Sequence, residues 1–257
     1  MVADSRDRTT LVEESLLEAL GATYRAVTAT VTGLADEAFD RPSRCEGWSV
    51  KDVLFHLLLD PQRSLVAFAS PASEPPTTDS VEYWRLYKPG TEAAARHAEF
   101  VRCAASAYAR PSVLVEQWAE TSEAVLRAAA SEGSRAWAQR QLLTRAARSR
   151  GREPSPPEPA RVHTQGLVIA LPDFLATLVV EAALHHLDMT VTLETAPATP
   201  PAALAVVRTT LDGLLRAPLP AAWDARTCAL KGTGRMPLDY GDRDVLGQLA
   251  GEFPLLG

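Results

Sequence analysis

Apolar positions recur at three- and four-residue intervals along most of the chain, the period of an amphipathic helix and not of a strand. From Leu11 to about Leu34 the stripe is Leu16, Leu17, Leu20, Tyr24, Val27 and Val31, and "RPSRCEG" then breaks it. The next helix is marked by its start. Ser49 is an N-cap with Asp52 three residues on, a capping box, and Trp48 and Val53 have the spacing of a hydrophobic staple. "SVKDVLFHLLLD" runs to Pro61, a residue that can kink the helix and let it continue through "QRSLVAFAS". After the loop "PASEPPTTDS" a third helical region covers Val81 to Tyr108, broken at "KPG". Pro111 then opens "PSVLVEQWAETSEAVLRAAA" as a first-turn proline.

Residues 133–161 change character. Arg135, Arg140, Arg145, Arg148, Arg150 and Arg152 come close together, and "EPSPPEP" forbids regular structure. A long connection is expected here, its arginines reading as a solvated helix face or as a binding surface. Leu171 to about Leu193 is apolar and rich in β-branched residues; its length and freedom from turn signals favour a helix over a strand. A proline stretch, "APATPP", ends it, and "AALAVVRTTLDGLL" follows as a helix. The tail from Thr227 reads as a short strand or hairpin and one last helix. The pattern predicts a mainly α fold: an antiparallel helical bundle with a long crossover over residues 1–195, and a small α+β C-terminal appendage over 196–257.

Composition narrows the function classes. With 257 residues, 46% of them hydrophobic and 23% charged, the chain can bury a sizeable core. A net charge of −6 argues against nucleic acid as a partner, since phosphate binding wants a basic stripe. No run of about 18 apolar residues is present, so no membrane partner is expected. The start "MVADSRDRTTLVEESLLEAL" lacks a basic segment followed by an apolar one, so no signal peptide is expected either. Cys45, Cys103 and Cys228 are odd in number, far apart and form no C-x-x-C pair, which fits reduced thiols in a cytoplasm.

The chemistry gathers in "EAALHHLDM", residues 181–189. On a helix Glu181 and His185 share a face, Asp188 lies on it too, and His186 points away. Glu-x-x-x-His suits a divalent ion, through one carboxylate oxygen and one imidazole nitrogen. Two ligands are too few, and the best third is His56, at the inner edge of the second helix's stripe, with Asp60 one turn further on the same face. The same spacing also fits an ordinary Glu–His hydrogen bond and a satisfied core histidine. H-E-x-x-H, G-x-S-x-G, a Walker A loop and a dinucleotide fingerprint are all absent. His97 and His163 fit no motif and are expected on surface or loop.

"GWSVKDVLFHL" together with "VVEAALHHLDM" resembles the mycothiol-dependent maleylpyruvate isomerase family, within the DinB-like group of metal-binding four-helix bundles. The tail "LKGTGRMPLDYGDRDVLGQLAGEFPLL" is similar to the ending of many actinobacterial members, and the resemblance runs from Leu11 to the end. It implies His56, Glu181 and His185 as ligands of a divalent metal, zinc being the expected ion. It also implies Asp188 as a supporting carboxylate or proton acceptor, and mycothiol as co-substrate. Two neutral histidines and one carboxylate leave a divalent ion one net positive charge and at least one open position, as in catalytic sites. Such an ion holds a thiol as thiolate.

The expected function is therefore a metal- and thiol-dependent S-transferase or cis–trans isomerase acting on a small electrophilic substrate. Arg235 is the expected anchor for an anionic group, with Arg63 and Asp60 as further binding residues. The alternatives are a metal-dependent hydrolase using water and a non-catalytic metal-binding protein. A zinc anti-sigma factor is disfavoured because no cysteine lies near the histidines. The assembly is expected to be a monomer or homodimer. The tail is shorter than the C-terminal domain of the isomerases themselves, so the resemblance does not name the substrate.

Overall fold

The computed structural model describes residues 8–87, 90–150 and 158–256. Its frame is four long helices: α1 (Arg8–Thr32), α2 (Val50–Phe68), α5 (Pro111–Ser149) and α6 (Leu171–Met189). The long crossover joins α2 to α5 and carries α3 (Glu82–Arg85) and α4 (Glu92–Ser106). Contacts near the helix ends give the directions. Thr30, late in α1, meets His186, late in α6, so these two run the same way. Tyr24 and Thr28 of α1 meet Trp118, early in α5, so that pair is antiparallel. Arg44, just before α2, bonds the carbonyl of Asp188 at the end of α6. The loop after α2 meets the strand before α6, Pro71 opposite Val162; α2 and α6 are antiparallel as well. It follows that α2 and α5 run the same way, which requires a connection long enough to carry the chain back along the bundle.

The start of α2 is as the pattern predicts. Ser49 accepts from Asp52 N–H, the Asp52 carboxylate accepts from Ser49 N–H, and the helix continues through Pro61. Two other elements differ from expectation. The stretch from residue 133, expected as a connection, is helix as far as Ser149, because alanine, arginine, glutamine and leucine there are all strong helix formers. Arg152 and most of "EPSPPEP" lie outside the described residues, as do the side chains of Arg140, Arg145 and Arg148, and Lys88 and Pro89 of "KPG".

The second difference concerns the strands. Among the described residues the tail holds none: after α7 (Pro201–Leu215) come the short helices α8 (Ala225–Gly232) and α9 (Tyr240–Leu246). The hairpin instead precedes α6, as β1 (Arg161–Thr164) and β2 (Leu167–Ala170), paired Val162 to Ile169. Its turn residues Gln165 and Gly166 both have positive φ, 49° and 77°, the backbone of a tight two-residue hairpin. Four-residue strands are too short to show a period of two, and in the tail a capping box of Asp239 and Asp242 starts α9.

One hydrophobic core runs through the bundle and the tail together, from Leu20, Leu54 and Val179 to Leu211 and Cys228. By length and composition Leu171–Thr192 is apolar enough to cross a membrane, yet 78% of that window is buried inside the fold. Core packing accounts for its apolarity.

Candidate metal centre

The loop "RPSRCEGW" closes on itself before α2, with Pro42 bridged to Ser49 and Gly47 at φ 73°. The turn sets Trp48 against two imidazoles, its ring centroid 5.1 Å from His56 and 6.4 Å from His185. His56 comes from α2 and Glu181 and His185 from α6, and the antiparallel packing of these helices brings the three together. His56 Nε2 is 2.8 Å from Glu181 Oε1, and His185 Nε2 is 3.4 Å from the same oxygen. The histidine rings stand at 81° with centroids 4.6 Å apart. All three donor atoms lie within 4.8 Å of one another, and two nitrogens and one carboxylate oxygen are a donor set that suits zinc.

Burial alone would lower the His185 pKa. The Glu181 carboxylate, with hydrogen bonds to Asp188, Cys45 and Glu181, raises it well above the usual histidine range. Burial would likewise raise Glu181, but the two imidazoles hold it well below the usual carboxylate range.

Asp188 sits behind His185. Its Oδ2 is 3.1 Å from His185 Nδ1, and it accepts two bonds from Arg235, from Nε and Nη2, each 2.7 Å. Burial would raise the Asp188 pKa, but His185 and Arg235 hold it far below the carboxylate norm. Arg235 thus lines the cavity with its fork occupied by Asp188. It projects from the turn after α8, where Gly234 has φ 70°, and its own carbonyl accepts from Arg44 Nη1 at 2.7 Å.

Two contributors went unseen in the sequence. Cys45, expected to lie away from the histidines, donates its thiol to Asp188 Oδ2 at 3.3 Å and is 3.7 Å from His185 Nδ1. The separation of 140 residues hides this; the loop fold creates it. His97, exposed on α4 as a surface residue should be, nevertheless places Nε2 3.2 Å from His56 Nδ1. His163 lies on β1, 3.5 Å from Glu74.

His186 is fully buried and plays no part in the centre. Thr30 Oγ1 donates to the Ala26 carbonyl, so His186 Nε2–H donates to Thr30, and Nδ1 accepts from Thr199 at 2.8 Å. Burial pushes its pKa down to about 4. Its folded-state pKa is below the unfolded value, so the neutral ring's contribution is complete above about pH 6.5 and is lost as pH falls towards 4. Against a His186→Gln variant, the wild type is expected to lose on the order of 3 kcal/mol of stability across that window, read from urea midpoints at several pH values. Parallel pH profiles would refute the assignment.

His56, Glu181 and His185 line a cavity of about 610 Å³, a volume suited to a small molecule. Asp60, Arg63, Tyr83 and Gln165 stand along its wall. Asp60 pairs with Arg63 at 3.3 Å. Burial, reinforced by Glu181, pushes the Asp60 pKa up to about 6.

The family model described as mycothiol maleylpyruvate isomerase N-terminal domain matches residues 20–152, just over half of the chain. The match includes His56 and ends before Glu181. No curated protein and no solved structure matches.

Proposed function

The chain belongs to the mycothiol maleylpyruvate isomerase N-terminal domain family, and from that membership and the geometry of its centre we propose a divalent-metal enzyme that uses mycothiol on a small electrophile. The observation that carries the proposal is the convergence of His56, Glu181 and His185 in the lining of a cavity of about 610 Å³. A divalent ion held there, zinc being the expected one, would lower the pKa of an incoming thiol and keep it as thiolate.

The chain's own residues supply the rest. His56, Glu181 and His185 are the proposed ligands. Asp188 orients His185 through Nδ1. A carboxylate held so far below its norm is a weak base, so proton exchange falls to Asp60, whose pKa of about 6 lies closer to neutrality. Arg63, beside Asp60, is the cavity cation proposed to meet an anionic group, and Arg235 supports from behind the centre through Asp188. The aromatic wall of Tyr83 and Trp84 keeps that part of the cavity apolar. A thiol that stays attached gives S-transfer; one eliminated after bond rotation gives cis–trans isomerisation.

The test supplies purified, zinc-loaded protein with mycothiol and panels of electrophiles, with products read by mass spectrometry. Conjugates or isomers that require mycothiol support the proposal. Turnover that persists without any thiol selects a hydrolase instead. No turnover with any panel member, together with no mycothiol binding by calorimetry, overturns the proposal.

A further inference from the structure

We infer that His97 is a positioning residue for the centre, holding His56 in the tautomer and orientation that present Nε2 to the ion. This rests on the proposed role of His56 as a ligand. A neutral imidazole that ligates through Nε2 carries its proton on Nδ1, and that N–H needs an acceptor. His56 is 8% exposed. Among the described residues its Nδ1 is bonded by His97 Nε2, at 3.2 Å, with ring centroids 5.2 Å apart and planes at 72°. Neither carboxylate of α2 bonds this nitrogen: Asp52 is held in the Ser49 capping box, and Asp60 pairs with Arg63 through Oδ1.

The choice of an imidazole has an electrostatic consequence. Ligating histidines commonly donate to a carboxylate, which adds a negative charge beside the metal. Here neither histidine does so at net cost to the positive field. Behind His185 the Asp188 charge is matched by Arg235; behind His56 stands a neutral ring. Both outer nitrogens are engaged, and the net positive charge that favours a thiolate over a thiol stays undiminished.

His97 also ties the crossover to the centre. Further along α4, Val101 and Ala105 are buried, and Phe100 packs on Phe55 of α2 with centroids 6.3 Å apart. The first turns of the helix instead run past the cavity, where Thr91, Ala94 and His97 line it. His97 thus gives that stretch a polar contact with a proposed ligand.

The test compares full-length wild type with His97→Phe, which keeps a ring but removes the acceptor, and His97→Gln, which restores one. Zinc affinity is measured by competition with a chromophoric chelator, and the visible absorption of the cobalt-substituted protein reports ligand geometry. His97→Phe is expected to weaken zinc by about tenfold or more and to shift the cobalt bands, with the melting temperature of the metal-stripped protein unchanged. His97→Gln is expected to recover most of the affinity. Should phenylalanine not be accommodated, His97→Leu must show the same loss. Wild-type affinity and an unchanged cobalt spectrum in the acceptor-less variants overturn the inference while leaving the centre intact. A wild type that takes up no metal, or a His56→Ala variant that retains it, overturns the centre and the inference with it.

Discussion

Replacing His56 with alanine is expected to lower bound metal from near one equivalent per chain to below about a tenth. His185→Ala should do the same, while His186→Ala should keep the ion. The reason is geometric. His56 Nε2 and His185 Nε2 approach the same Glu181 oxygen, at 2.8 and 3.4 Å, so the three donors surround one point. With one imidazole gone, the remaining pair offers a divalent ion too few protein ligands to compete with water. His186 lies next in sequence but turns away between Thr30 and Thr199. Plasma emission on dialysed protein decides the matter: equal metal in wild type and His56→Ala refutes the ligand assignment. An ion taken up there would also have to displace a proton from His185, whose pKa stands well above the usual histidine value. Affinity therefore falls as pH drops below that raised pKa, by about tenfold per unit.

What could be read from the sequence, and what could not, follows from the range of each interaction. The Ser49–Asp52 capping box and the shared face of Glu181 and His185 are local, set by helix geometry alone, and both are present. His56 was within reach because it lies on the inner stripe of a helix with a clear start. The hairpin turn of Gln165 and Gly166 is local too, but its strands are too short to leave a pattern. Cys45 and His97 have no local signature at all. One is delivered by a loop folding back on α6 and the other by a helix in the crossover, 140 and 41 residues from their partners. Arg235 is a middle case. "GTGR" marks a turn that can present an arginine, but nothing in it says that the guanidinium is taken up by Asp188 rather than offered to a ligand.

That pairing gives the second large effect. Asp188 and Arg235 side chains are 1% and 14% exposed and bonded through two parallel hydrogen bonds. Removing Asp188 leaves the guanidinium buried without its carboxylate, and removing Arg235 leaves the buried carboxylate only His185 and Cys45. Asp188→Asn and Arg235→Met are therefore each expected to destabilise the fold, by up to about 3–5 kcal/mol in urea unfolding. The double variant should lose less than the sum of the two, by at least about 1 kcal/mol, because no unpaired charge remains. Strict additivity would mean that the pair is not an energetic unit. Metal affinity separates the two roles further. Asp188→Asn removes the carboxylate behind His185 and leaves a cation near the ion, so zinc binding is expected to weaken. Arg235→Met leaves the carboxylate in place and removes a positive charge, so zinc binding is expected to hold or strengthen. The two substitutions thus agree in stability and differ in metal affinity, an outcome that general loosening of the tail cannot produce. If both weaken zinc equally, Asp188 acts only through the integrity of the fold and not through the imidazole it orients.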